Sequence, residues 1–142
     1  MSDARFVEEV DIASLVDAKA NREVLAYLGK NQPSCHSDTA EQLFRATKKC
    51  GDCTIFSPSF ASYRYVALLT NRRVFALGVG QFSACYRVPD DLRATALETG
   101  AVAAREIGRD WVRFELFQPD RPAPDLAFWT LRAYNCAREE RG

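Results

Sequence analysis

Residues 65–79 read YVALLTNRRVFALGV, and this stretch decides the fold of the chain. Two runs rich in β-branched and aromatic residues, Tyr63 to Thr70 and Arg73 to Val79, are separated only by Asn71 and Arg72. Asparagine tolerates the positive φ that a two-residue hairpin turn requires. The stretch therefore predicts an antiparallel β-hairpin.

Further strands are predicted on the C-terminal side of this hairpin. In Phe82 to Val88 the residues alternate with a period of two, so that every second side chain lies on the same face, as in a strand. Leu92 to Thr99 matches neither the helical nor the strand period well, and we expect a strand there. Ala101 to Ile107 and Trp111 to Phe117, joined by a turn at Gly108-Arg109-Asp110, predict a final hairpin.

Helices are predicted on the N-terminal side. Apolar residues recur at three- and four-residue spacings from Asp11 to Leu28, and Gly29 is expected to end that helix. A second helix is expected from about Asp38 to Lys49, with an N-cap oxygen from Ser37 or Asp38. The first third of the domain, residues 1–50, is thus expected to be helical.

A third helix is predicted near the C-terminus. Three prolines between residues 119 and 124 exclude regular structure, after which Asp125 is placed to cap a helix from about Leu126 to Arg138. The sequence therefore predicts an α+β domain spanning residues 1–142. It consists of two N-terminal helices, a curved antiparallel sheet or half-open barrel of about six strands in residues 52–138, and a C-terminal capping helix.

Composition excludes several classes of protein. The 142 residues include 19 basic and 19 acidic side chains, whereas nucleic-acid-binding domains carry a basic excess. We therefore expect no nucleic-acid partner. No apolar run approaches the length of a membrane span, and Met1 to Glu9 lack the features of a secretory signal, so we expect a cytoplasmic protein. Five cysteines without an export signal predict free thiols.

A C-x-x-C motif is the strongest chemical signal. In Cys50-Gly51-Asp52-Cys53 the central Gly-Asp favours a turn that could direct two sulfurs at one zinc ion. Cys35 and His36 are the nearest further ligands, but a helix of roughly 18 Å is expected to separate them from Cys50. Zinc is therefore an alternative for this motif, and a turn with two small buried side chains is the favoured interpretation.

Arginines gather around the central hairpin. Arg64, Arg72, Arg73 and Arg87 lie close to several aromatic residues in sequence, and guanidinium groups bind anionic ligands. They are candidates for lining a pocket for an anion or a phospholipid headgroup, against the simpler interpretation of a solvated hairpin tip. A protein or a small anionic ligand is the expected kind of partner. No nucleophile elbow or glycine-rich phosphate loop is present in the sequence, which argues against an enzyme.

Residues 65–77, YVALLTNRRVFAL, resemble the signature hairpin of bacterial pleckstrin-homology-like domains. Residues 86–92, YRVPDDL, are similar to the segment of that family that leads into the next strand. The resemblance extends from about Asp52 to Arg138. It implies a half-open barrel closed by a helix and a non-enzymatic binding or assembly module without catalytic residues.

Helices followed by a curved sheet also fit a second architecture. The cone-shaped α+β roll resembles small-molecule carriers and isomerases of the nuclear-transport-factor class, and it predicts a closed pocket with converging polar groups. That class normally ends on a strand, whereas Leu126 to Arg138 is predicted to be a helix. The sequence leaves the oligomeric state open, although an apolar sheet edge such as Phe82 to Val88 could pair two chains in a homodimer.

Overall fold

A single β-sheet organises the chain in the computed structural model, which describes residues 5–7, 11–31, 33–58 and 64–139. The strands are β1 (Arg5–Val7), β2 (Thr54–Phe56), β3 (Val66–Thr70), β4 (Arg73–Val79), β5 (Ser83–Arg87), β6 (Val102–Ala103) and β7 (Trp111–Glu115). The α-helices are α1 (Arg22–Asn31), α2 (Ser37–Ala46), α3 (Asp90–Glu98) and α4 (Leu126–Glu139). Two short 3-10 helices occupy Ile12–Ser14 and Thr47–Lys49.

The strand order across the sheet is β1-β2-β3-β4-β5-β7-β6. Strands β2 to β7 pair antiparallel with their neighbours, and β1 adds to β2 in parallel. The sheet is open, with helices before and after its antiparallel strands. The α+β class predicted from the sequence is confirmed.

The central hairpin forms as predicted. Asn71 and Arg72 form its two-residue turn with φ values of 52° and 58°, the left-handed conformation of a type I′ turn. Tyr63, at the start of the first predicted run, lies outside the described residues. In β4 the pairing shifts by one residue, because Leu68 opposes Ala76 whereas Leu69 opposes Val74. Phe75 is the extra residue of this β-bulge.

The segment at Leu92 to Thr99 is a helix, so the predicted strand is wrong. Asp90 and Asp91 occupy the first turn of α3, where carboxylates stabilise the positive end of the helix dipole. Leu92 and Ala96, four residues apart, are both buried against the sheet. The two inward contacts of this short helix are too few to give a clear periodicity. The predicted strand from Ala101 to Ile107 is likewise reduced to the two residues of β6.

The N-terminal part differs from the predicted pair of long helices. Arg5–Val7 forms an edge strand, and α1 begins only at Arg22 and continues through Gly29. The interruption comes from Asp17, whose carboxylate accepts hydrogen bonds from the backbone N–H groups of Lys19 and Ala20, at 2.9 and 3.1 Å. A side chain that binds nearby backbone donors in this way favours a turn over a continuous helix.

Both faces of the sheet are covered. Val24 and Leu28 of α1 pack with Val16 on one face, where they join an apolar cluster that includes Leu77 and Trp111. Helices α2, α3 and α4 lie on the other face, with α4 packed against β3, β4 and β5. Because both faces are buried, β3 and β4 consist of consecutive apolar residues.

Strand β5 lies in the interior of the sheet. It pairs with β4 on one side and β7 on the other, so Phe82 to Val88 offers no free edge. Phe82 to Val88 is therefore not the sheet edge through which two chains could pair, and a homodimer through another sheet edge stays a prediction. Among the described residues, the outer strands are β1 and β6.

Candidate functional site

The four predicted ligand-binding arginines do not converge. Arg72 and Arg73 lie at the tip of the β3–β4 hairpin, and Arg87 ends β5 at the same end of the sheet. Arg64 precedes β3 and bridges Ser34 at the opposite end, about 20 Å away at 3.3 Å per strand residue. One pocket lined by all four side chains is therefore not formed.

Arg72 is hydrogen-bonded to a neighbouring segment, and Arg73 is buried. Arg72 is exposed, and its guanidinium donates a hydrogen bond of 3.0 Å to the carbonyl oxygen of Val16. Its own carbonyl oxygen accepts from the backbone N–H of Asp17 at 2.9 Å. Arg73 is only 8% exposed. Arg72 therefore connects the hairpin to residues 16 and 17, and Arg73 is buried beside it.

The predicted metal ligands are also separated. Cys35 bridges Gly80 at one end of β4, whereas Cys53 immediately precedes β2, whose Thr54 pairs with Leu69 near the hairpin tip. Several strand residues, about 20 Å, lie between the two positions. Within the described parts of the chain, no three His, Cys, Asp or Glu side chains are placed to hold a metal ion. The sulfurs of the C-x-x-C motif thus lack the partners that a zinc site needs.

Burial makes these thiols poor nucleophiles. It raises the pKa of Cys50 to about 11 and the pKa values of Cys35 and Cys53 to about 12. Buried Cys85 shows the same direction of shift, for the same reason. Because the thiolate is the reactive form, these four cysteines remain neutral at physiological pH. None of the five cysteines forms a disulfide bond.

The single histidine has a structural partner. The Nδ1 atom of His36 accepts a hydrogen bond of 3.1 Å from the backbone N–H of Asp38, so His36 is the N-cap of α2. The N-cap predicted at Ser37 or Asp38 is therefore one or two residues too late. His36 also donates its backbone N–H to Gly80, which places it far along β4 from the hairpin tip.

A cleft of about 650 Å³ lies where β4 and β5 approach the start of α3. We call it the Arg87 cleft, because Arg87 is the one predicted site residue that lines it. Its apolar lining includes Phe75, Val88 and Ala137, each at most 5% exposed. The volume and the apolar lining suit a small ligand.

Charged side chains of both signs surround the Arg87 cleft. Arg87 and Arg109 contribute positive charge, and the carboxylates are those of Asp90, Asp91 and Asp110. The guanidinium of Arg93 donates to Asp90 at 3.0 Å and lies 3.9 Å from Asp110, so these two carboxylates already have a counter-ion.

Arg109 and Asp91 differ from Asp90 and Asp110, whose carboxylates have a counter-ion in Arg93. Neither side chain forms a hydrogen bond or an ion pair with any other described residue. The backbone N–H of Arg109 does donate to the carboxylate of Glu23, at 3.4 Å. The cleft therefore presents one cation and one anion without side-chain partners within the described part of the chain.

Backbone contacts hold the two charged turns together. The N–H of Val88 donates to the carbonyl of Asp110 at 2.9 Å, which joins the end of β5 to the turn before β7. Arg93 crosses between them and donates to the carbonyl of Arg109 at 2.7 Å. Residues 89–91 and 108–110 were interpreted from sequence only as a strand break and a turn. Their juxtaposition requires β5 and β7 to be neighbours, which no local pattern indicates.

Cys136 contributes the thiol of this cleft. It is partly exposed on α4, whereas the other four cysteines are each at most 2% exposed. His36 lies beyond the far end of β4 from Phe75, so it cannot serve Cys136 as a base. Cys136 and His36 therefore do not form a cysteine-histidine pair.

Among the described residues, no helix has the length and apolar character required to cross a bilayer. The chain matches no protein-family model, no curated protein and no solved structure, so its function is inferred from its own geometry.

Proposed function

We propose that the chain is a non-enzymatic binding module whose ligand occupies the Arg87 cleft. The observation that carries the proposal is the charge arrangement of the cleft, in which the side chains of Arg109 and Asp91 both lack partners among the described residues. This function agrees with what the pleckstrin-homology-like resemblance implies. A family relationship between this chain and the pleckstrin-homology-like domains is likewise only proposed.

The ligand expected from this arrangement is a small zwitterion. Arg109 and Arg87 attract a carboxylate or phosphate group, and Asp91 attracts an ammonium group. Pro89, which is exposed, and Cys136, which is partly exposed, provide apolar surface for the rest of the molecule. A ligand with only one sign of charge would leave the opposite charge of the cleft unsatisfied, at a cost in desolvation.

The predicted alternatives receive less support. A nuclear-transport-factor-like roll calls for a closed pocket, whereas the Arg87 cleft is open to solvent. A zinc-stabilised domain calls for further ligands near Cys50 and Cys53, and Cys35 and His36 lie too far away. We therefore retain the binding module as the proposed function.

Alkylation of Cys136 measures occupancy of the cleft directly. Iodoacetamide should modify Cys136 much faster than the four buried cysteines, and mass spectrometry of the digested protein gives the rate at each site. Free amino acids and phosphoethanolamine, each at about 10 mM, serve as zwitterionic probes. We expect at least one of them to slow the alkylation of Cys136 by about threefold or more.

Two substitutions test whether this protection depends on the charged side chains of the Arg87 cleft. Arg109→Ala and Asp91→Ala should each abolish the protection, whereas Lys48→Ala, at an exposed lysine that does not line the cleft, should retain it. Failure of every probe to protect Cys136 would refute the proposed ligand class. Equal protection in both cleft variants would show that the probe binds elsewhere.

A further inference from the structure

A second cleft lies at the other side of α3, against the β6 edge of the sheet. We call it the Arg105 cleft; its volume is about 640 Å³ and its lining residues are Arg93, Leu97, Ala103, Arg105 and Arg109. Three of the five carry guanidinium groups and none carries a carboxylate. Arg109 lines both clefts.

Two of the three cations are available to a partner. Arg93 is engaged with Asp90 and with the carbonyl of Arg109. The side chains of Arg105 and Arg109 form no hydrogen bond or ion pair with other described residues. The nearby carboxylate of Glu106 is paired with Arg113. The Arg105 cleft therefore has a surplus of positive charge.

The edge of the sheet at this cleft has an unused pairing position. The N–H of Ala104 donates to the carbonyl of Trp111 at 2.9 Å, and Ala103 opposes Val112. Because hydrogen-bonding directions alternate along an antiparallel strand, the N–H and C=O of Ala103 point away from β7. No described strand pairs with β6 on that side.

An exposed apolar side chain lies beside this edge. Leu97 is 43% exposed and follows Arg93 by four residues, which places both on the same side of α3. Glu98 is about 100° further around the helix, so its carboxylate does not share that side. Apolar and cationic groups thus line the cleft together.

We propose that the Arg105 cleft binds an extended acidic peptide segment of a partner protein, added as a strand to the β6 edge. The backbone of the peptide pairs with Ala103, its carboxylates contact Arg105 and Arg109, and an apolar side chain covers Leu97. Strand addition of this kind takes affinity from main-chain hydrogen bonds and specificity from side-chain pockets. This partner site goes beyond the zwitterion site proposed for the Arg87 cleft.

Fluorescence anisotropy with a synthetic peptide tests the proposal. The probe is a labelled peptide of about nine residues, in which glutamate alternates with threonine around a central leucine. We expect a Kd below about 100 µM at about 0.05 M salt, weakened at least about tenfold at 0.5 M salt. A peptide with lysine in place of glutamate should not bind. Equal binding of the lysine peptide, or no binding of the acidic one, would overturn the proposal.

Three variants define the site. Arg105→Glu should weaken binding about tenfold or more by reversing an exposed charge, and Ala103→Pro should weaken it by removing the outward N–H. Lys48→Ala should bind like the unmodified protein. If Arg105→Glu binds normally, the peptide contacts another surface and the proposal fails, whether or not the proline variant folds.

The same assay distinguishes a peptide site from a site for small anions, and it separates this inference from the ligand proposed for the Arg87 cleft. Sodium succinate at about 10 mM, an anion without an ammonium group, should displace little peptide, whereas full displacement would indicate a small-anion site and refute peptide binding. Peptide binding that depends on Arg105, together with unprotected Cys136, would leave this inference standing and remove the proposed zwitterion. The reverse result would remove only the peptide site.

Discussion

The phenol oxygen of Tyr86 lies 2.8 Å from the hydroxyl oxygen of Thr130, and both residues are completely buried. Tyr86 belongs to β5 and Thr130 to α4, so this hydrogen bond joins the centre of the sheet to the helix that covers it. Burial raises the pKa of Tyr86, with a smaller opposing effect from Thr130. The phenol is therefore neutral, and one hydroxyl can donate to the other.

The two partners of this pair should contribute jointly to the free energy of unfolding. Thr130→Val leaves the buried phenol without its partner, and we expect a loss of about 1–3 kcal/mol in the free energy of unfolding. Tyr86→Phe should cost about 1 kcal/mol, since a helical threonine can turn to its own backbone. The double variant should lose less than the sum of the two. Urea titrations give all three values, and strict additivity would contradict coupling.

Asn21 is a polar residue that should contribute strongly to the free energy of unfolding. Its amide donates to the carbonyls of Asp17 and Arg72, at 2.6 and 3.0 Å, and its oxygen accepts from the N–H of Val74 at 2.8 Å. Asn21→Ala leaves that N–H buried without its acceptor, and we expect a loss of about 2–3 kcal/mol.

Asn31→Ala is the matched control for this prediction. Asn31 is exposed and donates only to the carbonyl of Tyr27, so its replacement should change the free energy of unfolding by less than about 0.5 kcal/mol. Thermal unfolding of the two variants under one set of conditions compares them. Similar losses would show that Asn21 does not anchor the hairpin.

Two glycines should respond oppositely to alanine. A Cβ on Gly78 would lie 2.6 Å from Cδ1 of Leu43 and 3.1 Å from Sγ of Cys35, within a packed core. We expect Gly78→Ala to destabilise the protein by about 1–3 kcal/mol. A Cβ on Gly29 meets nothing within 4 Å, and Gly29 lies inside α1. Gly29→Ala should therefore stabilise by about 0.5–1 kcal/mol, as measured by chemical denaturation. Destabilisation at Gly29 would contradict its place within the helix.

Stability should fall at alkaline pH because of the buried thiols. Burial raises the pKa of Cys50 from 9.0 to about 11 and that of Cys53 from 9.0 to about 12. Between these limits the unfolded chain has released protons that the folded chain retains, so raising the pH favours unfolding. The urea midpoint should decline from about pH 9 upward in the presence of a reducing agent.

Replacing the two thiols isolates their share of this effect. A Cys50→Ala, Cys53→Ala variant should lose less stability than the unmodified protein between about pH 9 and pH 11, although it starts from a lower value. Parallel pH profiles for the two proteins would show that other groups cause the decline.

Local sequence patterns predicted those elements whose signals lie within a few neighbouring residues. Asn71 and Arg72 form the predicted turn, and Leu126 to Arg138 is helical as expected, with Asp125 accepting from the N–H of Phe128 at 3.1 Å. The helix at Leu92 to Thr99 was missed because its inward contacts, Leu92 and Ala96, are too few to define a period.

Of the predicted site residues, only Arg87 lies in the cleft to which we assign a ligand. Asp91 and Arg109, the unpaired charges of that cleft, occupy turns whose composition is ordinary for exposed loops. Their proximity depends on the pairing of β5 with β7 across α3, a long-range contact that local periodicity does not encode.

The hairpin at residues 65–79 and the α+β class were determined by the sequence itself, because turn conformation and strand propensity act between residues close in the chain. Only the tertiary structure decided that both faces of the sheet are covered, that Cys35 lies far from Cys53, and that Asp91 shares a cleft with Arg109. Burial and charge proximity are properties of the packed chain, and packing joins segments that are distant in sequence.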